Sequence, residues 1–278
     1  MSGLAGASNL QQRVLSGIVL IAVALTLTWA GGIWYRLLAA AISGAVLYEW
    51  LSMTAQGEKP SNRWLAIGLL AVLLILLVSG ASISFLSMAL VGAVIVTGAH
   101  AVRFEAGFWP TLGLAYAGLL GVALSALRGD DAAGLYATLF LFAVVWATDI
   151  LAYFVGRAVG GPRLAPSISP GKTWSGAVGG TVSALIAGLA VASYFGSPLG
   201  WAALAVLILV LSMVSQIGDL FESSIKRRFG AKDSSQLIPG HGGVMDRVDG
   251  LATASFALFL IGALLAGPDA PAGAFFGR

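Results

Sequence analysis

The sequence predicts an all-α, polytopic integral membrane protein, a helical bundle with about nine transmembrane helices. Three observations predict it. Hydrophobic residues fill 58% of the 278 positions and charged residues only 10%, where soluble domains carry roughly 25% charged residues. Mean hydropathy is +0.93. The apolar residues fall in long runs without polar alternation, which excludes barrel strands. Disorder is excluded as well, because it needs low hydrophobicity and high charge. The 37 glycines suit a tight bundle, since small residues let membrane helices approach closely. No cysteine is present, so disulfides, thiolate nucleophiles and Cys metal sites are excluded. A net charge of only +3 carries no nucleic-acid footprint, and no such partner is expected.

The nine runs are residues 15–30, 33–53, 64–79, 83–99, 111–127, 135–155, 174–195, 201–220 and 251–267. Each approaches the ~20 apolar residues that a spanning helix needs. The first follows Arg13 and resembles a signal peptide, but the eight runs after it make it a first membrane helix. Lys and Arg in the connections set orientation. With nine spans, Arg13, Lys59, Arg63, Arg103, Arg157, Arg163, Lys172, Lys226, Arg227, Arg228, Lys232 and Arg247 share one side. Only Arg36, Arg128 and Arg278 lie on the other. The N-terminus is therefore expected in the cytoplasm and the C-terminus outside, in a bacterial-type inner membrane. No linker or internal repeat divides the chain. One membrane domain, 1–278, is expected, with N-terminal helices over 1–134 and catalytic helices and cytoplasmic loops over 135–267.

Two cytoplasmic connections stand out, 156–173 and 221–249. The stretch 219–249 holds Asp219, Glu222, Lys226, Arg227, Arg228, Lys232, Asp233, Asp246, Arg247 and Asp249. Asp219 ends one run, and Asp246 and Asp249 precede the next, three apart and so on one face of a helix. Carboxylates at facing helix ends suit a hard divalent cation, and magnesium commonly takes one or two of them plus substrate phosphates. Lys226, Arg227, Lys232 and Arg247 supply the positive charge a polyphosphate needs. Pro239-Gly240-His241-Gly242-Gly243 reads as a turn whose N–H groups can approach an anion. Lys226–Arg228 alone would read as a positive-inside loop. Acids contribute little to topology and are costly to bury unpaired, so the three aspartates point to function.

Elsewhere, Gly171-Lys172-Thr173 is no Walker A motif, because Pro166 stands where the first glycine belongs. Lys172 remains a candidate for a phosphate or lipid headgroup, or else a juxtamembrane anchor. Asp149, within an apolar run, is a functional candidate unless it pairs with Arg157 or Lys172. Glu49, in Tyr48-Glu49-Trp50, reads as interfacial among headgroup-level aromatics. His100 reads as a loop residue. Gly176 and Gly180 form a small-xxx-small pair that suits helix packing.

The stretch Ser-x-Ile-Lys-Arg at 223–227, Lys232-Asp233, and Ile-Pro-x-His-Gly-Gly-Val-x-Asp-Arg-Val-Asp at 238–249 resembles the signature of the phosphatidate cytidylyltransferase (CDP-diacylglycerol synthase) family. Upstream, 216–223, 149–157 and 167–174 are similar to further blocks of that family, so the likeness covers roughly the second half. The family commonly has Glu shortly after Lys-Thr-Trp, where this chain has Ser175. The resemblance implies a membrane nucleotidyltransferase joining CTP and phosphatidate into CDP-diacylglycerol and pyrophosphate. It implies Mg2+, one or two ions, held by Asp219 and Asp246 with Asp249 and Glu222 next in line. Asp219, Asp246, Asp249 and Lys226 would be catalytic. Arg227, Lys232, Asp233, His241 and Arg247 would bind substrate, with Lys172 and Thr173 on the lipid or triphosphate side. CTP, phosphatidate and membrane lipids would be partners, and the Gly-rich faces leave room for a homodimer.

Three alternatives compete. A transporter fits many spans and intramembrane acids, but here the charges collect at one face. A CTP-dependent lipid kinase would yield CDP instead of pyrophosphate. A CDP-alcohol phosphotransferase needs Asp-Gly-x-x-Ala-Arg, and Asp249-Gly250 is followed by Leu251-Ala252-Thr253-Ala254.

Overall fold

A computed structural model describes residues 9–55, 59–238 and 242–277. Among them, helices occupy all nine expected places. These are α1 (Asn9–Ala30), α2 (Gly32–Met53), α3 (Pro60–Ser79), α4 (Ile83–Phe104), α5 (Trp109–Arg128), α6 (Ala132–Val159), α7 (Trp174–Phe195), α8 (Trp201–Arg228) and α9 (Met245–Ala266). Seven of them, α3 to α9, are long and apolar enough to cross a membrane, which corrects the expected nine. The part of α1 over Ser16–Ala30 is apolar, and α2 carries Arg36 and Glu49.

Local chemistry sets the helix ends. Ser82, Asp131 and Thr173 cap α4, α6 and α7, each accepting from a backbone N–H three residues on, as short polar side chains do at N-caps. Pro60 and Pro110 occupy first-turn positions of α3 and α5, where a missing N–H costs nothing. Beyond α9, the Asp269 carboxylate accepts from Ser84 Oγ (2.6 Å) and Ser84 N (3.0 Å). Those bonds hold its carboxyl below the usual carboxylate range.

α5 is the central post. Its Gly/Ala/Leu-rich spanning segment is 78% buried, against 22% for α7. It packs against α2, α3, α4, α6 and α9. Trp50 Nε1 of α2 donates to Trp109 O at 2.9 Å, and Ser43 Oγ of α2 donates to Ala117 O at 2.7 Å. These two polar groups inside the bundle thus find partners on the neighbouring helix, as an apolar surround favours.

The closest helix pair is α6 with α7, and Gly176 and Gly180 are the reason. A Cβ at Gly180 would stand 2.5 Å from Thr148 O and 2.9 Å from Ala152 Cβ. A Cβ at Gly176 would stand 2.6 Å from Ala152 O. Backbone atoms cannot swing aside. Gly180→Val should therefore force the helices apart and cost about 1–3 kcal/mol, the usual range for overpacking. It should be read as a lowered melting temperature in detergent. Gly92→Ala, whose Cβ would meet nothing within 4 Å, should leave that temperature unchanged or slightly raised.

Several boundaries differ from the sequence reading, three of them near the signature and the cleft. α6 continues to Val159, and α8 continues through the signature to Arg228. α9 begins at Met245, so the connection expected at 221–249 shrinks to 229–244. A 28-residue helix is roughly 42 Å long, more than the ~30 Å hydrocarbon layer. Its charged end projects past the region that hydropathy can detect. Between α6 and α7 lies an unexpected antiparallel hairpin, β1 (Arg163–Ala165) and β2 (Ser169–Thr173), with Arg163 opposite Thr173 and Ala165 opposite Ser169.

Candidate functional site

The hairpin, the end of α6, the start of α7 and the end of α8 enclose a cleft of about 640 Å³. Asp149 and Asp219 line it from α6 and α8, Lys172 and Arg163 from the hairpin, and Arg157 from the last turns of α6. Its backbone walls include Gly156, Gly160, Gly161, Gly171 and Gly176, where side chains would fill the space. Lys172 Nζ forms an ion pair with Asp219 Oδ2, both side chains about a quarter exposed. Ser223 Oγ, one turn on, lies 3.4 Å from Asp219 Oδ1. Arg157 donates to Tyr153 Oη at 2.8 Å, and Arg163 reaches Gly171 O at 3.4 Å. The positive rim is thus held loosely, by single bonds that a phosphate can outcompete.

A polar layer stiffens the cleft floor. Thr148 Oγ1 of α6 donates to Ser212 Oγ of α8 at 2.9 Å. Thr181 Oγ1 of α7 lies 3.1 Å from the same hydroxyl. Gln216 Nε2 donates to Thr181 Oγ1 at 3.1 Å. Three helices are pinned together directly below Asp149 and Asp219. Thr173 is buried as the α7 cap, accepting from Gly176 N at 3.1 Å, with its Oγ1 3.0 Å from Ser175 Oγ. Ser175 donates to Gly160 O. Ser175 thus uses its hydroxyl to close the base of the hairpin.

From Asp219 a charged seam runs between α8 and α9. Asp219, Glu222 and Lys226 follow one face of α8 at helical spacing, and Asp249 and Asp246 face them from α9. Tight packing makes the seam. A Cβ at Gly218 would fall 2.9 Å from Asp249 O and would also strike Thr253. At the outer end Lys226 Nζ lies 2.6 Å from Asp246 Oδ1 and 3.0 Å from Glu222 Oε1, all three side chains largely buried. Asp246 Oδ2 also accepts from Ser234 N (2.9 Å) and Gly243 N (2.9 Å). Asp249 accepts from Gly250 N at 2.7 Å and stands within electrostatic reach of Asp219 and Asp149.

Glu49 joins this network from α2. It is fully buried, which corrects the interfacial reading. Oε1 accepts from Ser235 Oγ (2.6 Å) and Val244 N (2.8 Å), and Oε2 from Met245 N (2.7 Å) and Ser234 Oγ (3.0 Å). An acid ringed by four donors at the start of α9 is stabilised by hydrogen bonds to its charge and by the helix dipole. Gly243 permits the approach, since a Cβ there would lie 2.8 Å from both Glu49 oxygens.

The expected residues therefore divide. Asp219 and Lys172 meet in the cleft, and Thr173 lines it. Asp246, Glu222 and Lys226 are gathered at the other end of the seam, where one ammonium meets both carboxylates. Arg227 Nε reaches Ile168 O and Nη1 reaches Ala231 O, both at 3.3 Å, bracing the hairpin turn. Lys232 and Asp233 are exposed beyond α8, and Arg247 is exposed on α9. His241 lies outside the described residues. Among those residues, no group of three or more Asp, Glu or His is gathered to hold a metal ion, and Asp219 lies in the cleft while Asp246 and Glu222 sit at the other end of the seam. The cleft instead fits the commoner magnesium arrangement of one or two carboxylates completed by substrate phosphates. Asp149 and Asp219 line one cleft, whereas Asp246 already spends its oxygens on Lys226, Ser234 and Gly243. Sequence reasoning did not name Arg157 and Arg163 as site residues, reading Arg163 only toward topology and Arg157 toward topology and as a possible partner of Asp149. It also missed Glu49, although an acid in an apolar run must be satisfied somewhere.

Comparison with known proteins extends the likeness beyond the second half. The phosphatidate cytidylyltransferase of Brucella suis biovar 1 is 49% identical over 272 residues, covering 97% of this chain and 99% of that protein. Those of Haemophilus influenzae and Bacillus subtilis are 36% and 33% identical, covering 88% and 91% of this chain and 96% and 98% of their own lengths. The profile of the cytidylyltransferase family matches residues 11–265, α1 through α9, and the chain belongs to that family.

Proposed function

We propose that the protein joins CTP and phosphatidate to give CDP-diacylglycerol and pyrophosphate, with its N-terminus and cleft facing the cytoplasm. The observation that supports it best is the cleft, where Lys172, Arg157 and Arg163 surround two carboxylates at one end of an apolar bundle. The names of its full-length relatives support it further. The acyl chains stay in the bilayer while the nucleotide arrives from water. A phosphatidate oxygen attacks the α-phosphorus of CTP, and the bond from that phosphorus to the bridging oxygen of the β-phosphate breaks. Pyrophosphate leaves with the electron pair. The attacking oxygen is already anionic, so no strong base is needed.

The task is to bring two polyanions together and to stabilise charge on the leaving group, which positioned cations do best. Lys172, Arg157 and Arg163 bind and orient phosphates in this reading. Asp219 with Asp149 would hold Mg2+, which supplies charge neutralisation when bound. Lys226 and Asp246 fix the α8–α9 seam that carries Asp219. Purified protein given CTP, phosphatidate and Mg2+ should release pyrophosphate in step with CDP-diacylglycerol. CDP in place of pyrophosphate would mean γ-phosphoryl transfer, and neither product from folded protein would overturn the reading.

A further inference from the structure

We propose that Glu49 of α2 is a positioning residue for the transfer reaction, acting through Ser234, Asp246 and Lys226. This rests on the function proposed above. Glu49 touches no residue of the cleft, yet every group it holds lies within the signature span 223–249. Its two oxygens take the backbone N–H groups of Val244 and Met245 and the hydroxyls of Ser234 and Ser235. Ser234 Oγ stands 3.0 Å from both Glu49 Oε2 and Asp246 Oδ2. A hydroxyl has one proton, so it serves one carboxylate at a time, and Lys226 at 2.6 Å from Asp246 balances the other. Glu49 thereby fixes the start of α9, and with it the side of the seam that faces Asp219.

A brace of this kind could serve stability alone, and the kinetics separate the two roles. Glu49→Gln keeps the shape but turns an amide NH2 toward either Val244 N–H or Met245 N–H, donor against donor. Ser235→Ala removes one hydroxyl only. We expect kcat to fall about 10-fold in Glu49→Gln and about 100-fold in Glu49→Ala, the range for groups that orient a reacting shell. The KM for CTP should stay within about twofold, with Ser235→Ala intermediate between wild type and Glu49→Gln. Turnover is measured per folded molecule, beside the melting temperature in the same detergent. Should Glu49→Ala not fold, Glu49→Gln and Ser235→Ala decide. A lowered melting temperature with wild-type kcat in both overturns the positioning role. Absence of pyrophosphate release by the wild type would sink the transferase reading and this inference together, whereas an active wild type with normal Glu49→Gln sinks this one alone.

Discussion

Asp219→Asn should lower CDP-diacylglycerol formation by about 100-fold or more, the effect of removing one preorganised electrostatic group from a reacting centre, while the bundle stays folded. Asn preserves the volume and can still meet Ser223. What disappears is the negative charge that pairs with Lys172 and that a magnesium ion would need. The half-saturating magnesium concentration should rise, and the melting temperature should move little, because Asp219 is partly exposed. Lys172→Met should instead raise the KM for substrate, since it removes a phosphate partner and leaves the carboxylates. Full turnover of Asp219→Asn at ordinary magnesium would place the chemistry elsewhere.

Lys226→Met should destabilise the protein by about 3–5 kcal/mol, the cost of breaking a buried ion pair from one side. Glu222 and Asp246 would be left buried with no counter-ion on the ammonium's side, and Glu222 is fully buried. Thermal unfolding in detergent checks this. The double variant Lys226→Met/Glu222→Gln should recover part of the loss, because the stranded charge goes with the lysine. Arg228→Ala makes the contrast. Arg228 lies over the Trp109 ring at 5.1 Å, an exposed cation–π contact of about 0.5–1 kcal/mol. An unchanged melting temperature in Lys226→Met would mean that the Glu222–Lys226–Asp246 cluster carries no stability.

Much of the architecture was legible, because in lipid the hydrophobic period and the helix are nearly the same statement. The helices fall where the apolar runs lie, and Gly176 and Gly180 mark the tightest contact. The hydropathy signal ended at residue 220 and resumed at 251, so it missed the charged helix ends that carry Glu222, Lys226 and Asp246. Counting charges located Asp219 and Lys172 but could not tell which acids meet. Asp246 and Asp249 share a face of α9, yet one turn of rise separates their partners. Glu49 was the hardest to read. Its donors are backbone N–H groups and two serines, none of which advertises a need for an acid.

The clamp on the signature also dictates an order of biogenesis. Glu49 and Met245 are 196 residues apart in the chain, so the carboxylate leaves the ribosome long before its donors exist. Closing so wide a separation is slow and entropically costly. The contact between Glu49 and the start of α9 can therefore close only after the chain has been made past Met245.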